Sequence, residues 1–260
     1  MKRFFCDFKK YWSYAKYAAK SDLNSEIAGS HLGWLWWVLD PLLFMLIYSF
    51  VAGVVFKKSE TYLAAFIFLG LSCYDFFQKT LKQSVRLVAG NSAIISKIYL
   101  PKYMLIVQVM LVNAFKMLVS LVLVCGMMFI YRVPLTYRAL YSIPLFALLF
   151  IITFGASTII LHYGVFFEDL ANILSAVLRM LFYFSGVFYS IEKRVPGIYG
   201  VILLRCNPIA LIMDGMRKCV LYGKDPNFGF MGAWFVTGII LAIIGVCVIY
   251  KYENTYAKVI

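Results

Sequence analysis

Charge is scarce in this chain, and acid is scarcer than base: 14% of its 260 residues are charged, with 12 Asp+Glu against 25 Lys+Arg. Ordinary soluble domains carry about 25% charged residues. Combined with 63% hydrophobic residues and a mean hydropathy of +0.84, this shortage excludes a water-soluble globule and describes a polytopic membrane protein. Histidine occurs only at His31 and His162, both near expected membrane interfaces. The patterns H-E-x-x-H and G-x-S-x-G are missing, as is any Cys/His pair at ligand spacing, so catalysis and metal binding have little support. The phosphate-cradling pattern G-x-x-x-x-G-K-[ST] is missing too, so this chain cannot hydrolyse ATP through a P-loop.

Other absences narrow the class further. The first twenty residues carry Lys2, Arg3, Lys9, Lys10, Lys16 and Lys20 without an apolar h-region, so no cleavable signal peptide is expected. The six cysteines (6, 73, 125, 206, 219, 247) lack zinc spacing. Cys206 and Cys219 share the expected outer segment, where two free thiols are expected rather than a disulfide. No internal repeat is visible, which argues against a transporter built from inverted repeats. The net charge of +13 points to cytoplasmic loops and anionic lipid head groups, not to nucleic acid.

What is present is an all-α pattern. Residues 1–30 read as an N-terminal amphipathic helix and linker. Phe4, Phe5, Phe8, Trp12, Ala15 and Ala19 recur at helical spacing over 2–20 with lysines between them, which suits a helix lying along the membrane surface. Residues 31–260 form the membrane domain, with six spans expected at about 31–56, 62–77, 103–131, 139–163, 171–189 and 230–250. Trp34, Trp36 and Trp37 open the first span, where indole rings favour the interface. Asp40-Pro41 follows early in that span, and a carboxylate there should face protein or water. The 78–102 loop is polar, and Asn91-Ser92 is expected to cap a short helix over 93–99 that stops before Pro101. Counting basic residues around the first four spans gives eleven on the N-terminal side against four opposite. The excess places both termini in the cytoplasm, although six further basic residues in 191–229 oppose it.

The stretch from Phe166 to Arg217 organises the rest. It opens on Glu168-Asp169, continues as an aromatic-rich span to Tyr189, and meets Glu192, Lys193, Arg194 and Pro196. A second apolar run, 198–204, is too short to cross ~30 Å of hydrocarbon at ~1.5 Å per residue. The chain is therefore expected to dip back toward the membrane there without recrossing it. Asn207-Pro208 then starts an amphipathic helix, with Asn as cap and Pro at the first helical position. This stretch is taken as the outer segment, with Asn207, Pro208 and Arg217 as its cap.

Two cations sit where cations are costly. Lys116 interrupts the third span and Arg179 the fifth, at ~2.5–3.5 kcal/mol each on lenient insertion scales. Each serves either a structural ion pair or contact with an anionic substrate. Phe182, Tyr183, Phe188 and Tyr189 share the span of Arg179, and aromatic faces beside cations suit sugar rings and phosphates; the alternative is that these rings face lipid. Trp34 and Trp36 complete the set of substrate-path candidates.

Four patches together make the chain resemble the permease subunits of ABC-2 type exporters of polysaccharide, O-antigen, capsule and teichoic acid. Residues 29–36 (GSHLGWLW) through Pro41 are similar to that family's G-S-x-L-G-x-L-W…P. Residues 98–102 (IYLPK) are similar to its K-x-x-F-P-[RK] loop. Residues 166–170 (FFEDL) are similar to F-F-R-D, and Asn207-Pro208 with Arg217 to N-P…R. The resemblance covers nearly the whole chain. It departs at Glu26 and Ala28, where the family often has arginines, and at Glu168, where it usually has arginine.

The resemblance implies a division of labour. Two copies of this chain would pair with two nucleotide-binding subunits, which carry the ATP and Mg, in the bacterial cytoplasmic membrane. The 91–102 segment, with Ser92, Lys97, Tyr99, Pro101 and Lys102, would seat on the ATPase, and Glu168 and Asp169 would lie nearby. The cargo would be a lipid-linked glycan on undecaprenyl diphosphate, moved among membrane lipids, with Arg179 and Lys116 as cations for the diphosphate. The chain itself would not be an enzyme. Alternatives are an ABC-2 permease for a small molecule, an intramembrane lipid-linked transferase, or a gradient-driven channel or transporter.

Overall fold

The computed structural model describes residues 2–28, 32–55 and 60–259. Gly29, Ser30 and His31 of the first patch lie outside the described residues. Every described element is helical. In chain order these are α1 (Lys2–Ala28), α2 (Trp36–Phe50), α3 (Leu63–Val85), α4 (Leu87–Gly90), α5 (Ser92–Ile95), α6 (Tyr103–Ile130) and α7 (Ser142–Phe166). Then follow α8 (Leu170–Phe184), α9 (Ile191–Arg194), α10 (Gly197–Cys206), α11 (Pro208–Val220), α12 (Phe228–Lys251) and α13 (Glu253–Val259). Short 3-10 turns lead into α2 and α7, and a π-helical turn, Val51–Val55, extends α2.

Among the described residues, four helical stretches are long and apolar enough to cross a membrane: Gly33–Phe50, Tyr103–Ile130, Tyr137–Phe166 and Phe228–Lys251. A fifth arises only if α10 and α11, bent by 97° at Asn207, count as one crossing. The expectation of six spans therefore overstates what length and apolarity support. The segment expected at 62–77 is the first part of α3, whose 23 residues take in Asp75, Lys79 and Lys82. The segment expected at 171–189 contains α8, only 15 residues long, or ~22 Å. Both are shielded by protein on one side, so they need less apolar surface than a lipid-exposed span.

α1 is longer than its expected 2–20: the polar stretch 21–28 continues the same helix. Its apolar stripe packs on α6, with Ala15 and Ala19 buried and Phe4 against Tyr103 (ring centroids 5.1 Å apart). The contacts climb α6 from Tyr103 to Gln108, which donates to Asp22 (2.7 Å), and on to Lys116, which pairs with Glu26. Phe5 is left outside the stripe, exposed.

α3 is the axle of the bundle, buried along most of its length between α2, α6, α7, α8 and α11. Its polar side chains bond within the helix, as Ser72 to the Phe68 carbonyl and Thr80 to that of Phe76. α7 and α12 pack closely, because Gly155 and Gly245 let the two helices approach. A Cβ on Gly155 would lie 2.9 Å from the Ala242 amide nitrogen. Small residues of this kind drive helix association in membranes, where apolar burial alone does not.

Polar contacts sort the loops into two ends. At one, Arg3 donates to Tyr99 (2.6 Å) and pairs with Glu253 (3.1 Å), Tyr250 donates to Asp7 (2.9 Å), and His162 meets Tyr256 (2.7 Å). Residues of the 86–102 segment and of both terminal helices therefore share this end. At the other, Lys193 pairs with Glu60 (2.6 Å) and Arg138 with Asp225 (2.9 Å). Lys218, late in α11, reaches back to Glu192 in α9 at 2.9 Å. The α10–α11 segment thus returns to the end where it began, as expected for a dip without a recrossing.

Candidate functional site

A polar cavity of about 260 Å³ opens between the C-terminal part of α1, the start of α2, the second half of α3 and the middle of α6. Its wall carries five charged side chains. Lys116 of α6 holds Glu26 of α1 through both carboxylate oxygens (2.7 and 2.8 Å), and Trp37 donates its indole N–H to the same carboxylate (3.1 Å). Lys79 of α3 lies 3.0 Å from Asp75, one helical turn earlier, and 4.0 Å from Asp40 of α2. Asp40 stands immediately before Pro41, inside α2.

Charges at this depth are retained because they neutralise one another within the bundle. Each cation already has an acidic partner, and the wall holds three acids against two lysines. Asn113 adds a neutral group: it donates to Thr80 (3.1 Å) and Gln83 (2.8 Å), while its buried side-chain oxygen has no donor. The arrangement can accept an anion at Lys79 or Lys116 once an acid gives way.

Among the substrate-path candidates, the structure puts Lys116 and Trp36 in this wall. Trp34 is exposed near the start of α2. Arg179 is elsewhere, on the exposed face of α8, with no ion pair or hydrogen bond among the described residues. Phe182 and Phe188 turn inward: Phe188 packs on Tyr48 of α2 (4.3 Å between centroids) and Phe182 on Tyr74 of α3 (5.1 Å). Tyr74 also donates to the Leu178 carbonyl. Tyr183 is exposed, and Tyr189 donates to its carbonyl (3.0 Å).

The coupling candidates line the end that carries both terminal helices. The helix expected over 93–99 is only α5, Ser92–Ile95, followed by a turn. Asn91 does not cap it with its side chain, which instead donates to Leu87 in the preceding turn (2.8 Å). Lys97, Ile98 and Tyr99 are exposed, whereas Pro101 and Lys102 are buried at the start of α6. Burial pushes the Lys102 ammonium below the ordinary lysine value. Glu168 and Asp169 are exposed in the turn between α7 and α8. That turn lies on the same end, since Gly164 packs against the Val85 carbonyl.

The residues expected to cap the outer segment form a tightly bonded knot. Asn207 accepts from the amides of Ile209 (3.0 Å) and Ala210 (3.3 Å) and donates to Ser185 (2.8 Å). Pro208 is the first residue of α11. Arg217 is buried and donates to three carbonyls: Phe66 (3.0 Å), Gly186 (2.8 Å) and Val187 (2.8 Å). Asn207 and Arg217 therefore grip the 185–187 turn from two points on α11. Cys206 is exposed and Cys219 buried, each a free thiol.

Sequence reasoning missed the convergence of Asp40 and Asp75 on Lys79. The Asp75–Lys79 pair was readable from its i, i+4 spacing. The third member, on another helix, had no local signal.

Fold and site together define a multi-pass all-α membrane protein with a charged cavity and a knotted re-entrant segment. The ABC-2 type transporter family model matches residues 21–221, and the chain belongs to that family. It is 26% identical over 240 residues to the "O-antigen export system permease protein RfbA" of Klebsiella pneumoniae, covering 92% of each chain. A protein of the same name from Myxococcus xanthus is 24% identical over 208 residues, 79% of each.

Proposed function

We propose that this chain is the membrane subunit of an ATP-driven exporter that carries an O-antigen-type polysaccharide, linked to undecaprenyl diphosphate, across the bacterial cytoplasmic membrane. The observation that carries the reading is the end-to-end similarity to permeases named for O-antigen export, on top of the family match. Two copies pair with two nucleotide-binding subunits, which bind ATP and Mg and supply the hydrolysis. Both termini and the 86–102 segment face the cytoplasm, in a six-span topology with α1 near the membrane interface. The exposed residues Ser96 to Tyr99, with Glu168 and Asp169, make the ATPase contact.

The charged cavity supports a polar cargo. A diphosphate oxygen displaces Glu26 from Lys116, or Asp40 from the longer of the two Lys79 contacts. Arg179, exposed on α8, provides a further cation when the second copy stands opposite. Within the cavity a transferase would need a free acid as base, and there Asp40, Asp75 and Glu26 are each engaged by a lysine, which disfavours that alternative.

The test is co-purification of the tagged chain with the ATPase its host supplies, then ATP turnover in lipid with and without a lipid-diphosphate glycan. A stable complex stimulated by glycan is expected. Failure of any ATPase to associate would sink the proposal, and stimulation by small amphiphiles instead of glycan would move it to the drug-permease reading.

A further inference from the structure

A second cavity lies on another side of the molecule and shares no residue with the first. It is an open groove of about 670 Å³ between α1, α6, α7 and α12. Phe8 and Trp12 form one wall, Ile243 and Val246 the other, with Met110 and Phe154 as floor. No charged side chain lines it among the described residues. Along α12 it extends from Ile239 to Tyr250, about 16 Å at ~1.5 Å per residue, or one leaflet of a ~30 Å hydrocarbon core.

The groove has a polar end. There Tyr250 donates to Asp7 (2.9 Å) and lies under Arg3, whose guanidinium is 4.5 Å from the ring centroid. Arg3 is already committed to Glu253 and Tyr99. Lys9 and Lys16 are not: both are exposed, with no ion pair or hydrogen bond among the described residues. Each follows a groove-lining ring by four residues, Phe5 or Trp12, and so stands over it on the same face of α1. The Lys16 ammonium lies 5.8 Å from the Trp12 ring. The groove therefore combines an apolar slot one leaflet long with two uncommitted cations beside its aromatic wall.

We propose that this groove binds an acyl chain of an anionic phospholipid of the host membrane, with Lys9 and Lys16 at its phosphate. The slot length matches one phospholipid chain and is far too short for an undecaprenyl tail. The two lysines select an anionic head group over a zwitterionic one. The lipid fills the gap between α1 and α12 and so fastens α1 to the bundle. The inference does not depend on the exporter reading.

The experiment uses the full chain reconstituted in phosphatidylcholine bilayers containing brominated-chain phosphatidylglycerol or, separately, brominated phosphatidylcholine at equal mole fraction. Emission from Trp12 is obtained as the difference between the native chain and Trp12→Phe. Brominated phosphatidylglycerol is expected to quench Trp12 at a lower mole fraction than brominated phosphatidylcholine. The preference is expected to fall about five-fold for each of Lys9→Gln and Lys16→Gln. Both lysines are exposed, so these variants keep the fold. Native mass spectrometry of Val246→Phe, which fills the slot, should show loss of co-purified phosphatidylglycerol. Equal quenching by the two lipids would overturn the proposal. So would relief of quenching by undecaprenyl phosphate but not by unbrominated phosphatidylglycerol, which would assign the groove to a polyprenyl lipid.

Discussion

The guanidinium of Arg217 occupies the space that a side chain on Gly70 would need: a Cβ there would lie 2.1 Å from Nη2. Glycine on α3 lets α11 send this arginine across to three carbonyls and onto the face of Phe66, 3.6 Å from its centroid. Gly70→Ala should push the guanidinium off those acceptors. Hydrogen bonds from a charged donor are worth ~1.5–3 kcal/mol each, so a loss of about 2–4 kcal/mol is expected. Arg217→Lys should do similar damage, because one ammonium cannot match the planar fork. Thermal unfolding of the purified chain in detergent checks both. An unchanged midpoint for Gly70→Ala would remove the close approach from the argument.

The bond between Glu26 and Lys116 predicts a specific non-additivity. Lys116→Met alone leaves a carboxylate facing the cavity, and Glu26→Gln alone leaves an ammonium at mid-span. The double variant should be more stable than the two single losses imply, by about 1 kcal/mol of coupling. A double-mutant cycle on unfolding midpoints measures it, and strict additivity would mean the pair contributes nothing.

Lys79 should tolerate the loss of one acid better than of both. Its contact with Asp75 is the shorter, 3.0 Å against 4.0 Å for Asp40. Asp75→Asn should therefore destabilise more than Asp40→Asn, and the double variant more than their sum. Ranking the three by yield of monodisperse protein and by unfolding temperature decides the point; a larger effect from Asp40→Asn would reverse the assignment.

Acid should loosen the arm formed by α9 and α10. The hydrogen bond from Lys218 holds the Glu192 carboxyl below its ordinary value. A carboxyl lowered by folding adds stability that is complete above its unfolded value, about 4.3. That stability is lost as pH falls through the lowered folded value. Hydrogen exchange in 191–206 should therefore rise below about pH 4 in the native chain. In Glu192→Gln it should already be raised at pH 7, with little further change in acid. Glu192 is largely exposed, so the effect is small and local.

Docking of the nucleotide-binding subunit should depend on the exposed turn after α5. Ile98 is 49% exposed and packs on little of its own chain. Ile98→Asp should leave the unfolding temperature within about 1 °C while abolishing ATPase co-purification, since surface changes cost less than ~0.5 kcal/mol. Retained co-purification would place the contact elsewhere.

Much of this protein was legible because the signals are local. Missing charge and long apolar runs identify a membrane chain. Asn207-Pro208 announces a helix start that α11 realises, with the Asn207 side chain bonded to two amides. The seven-residue run after Pro196 is too short to cross, and the structure bends it back at Asn207. The same local reading failed where helices shield one another. It could not tell that α3 and α8 are screened by neighbouring helices, and it stopped α1 eight residues early, because polar residues read as linker.

Sequence by itself determined the class and the residues that would be costly in lipid. Tertiary structure decided what those residues do. Lys116 meets Glu26, Lys79 gathers Asp40 and Asp75, and Arg217 disappears into α3. Arg179, favoured from sequence over Lys116 as the contact for an anionic substrate, stays outside on α8. The physical reason is that hydropathy and periodicity act within a helix, whereas a charge pair between helices depends on how each is rotated about its axis. That rotation is set by small-residue packing such as Gly155 on α12 and Gly70 under Arg217, and no single segment records it.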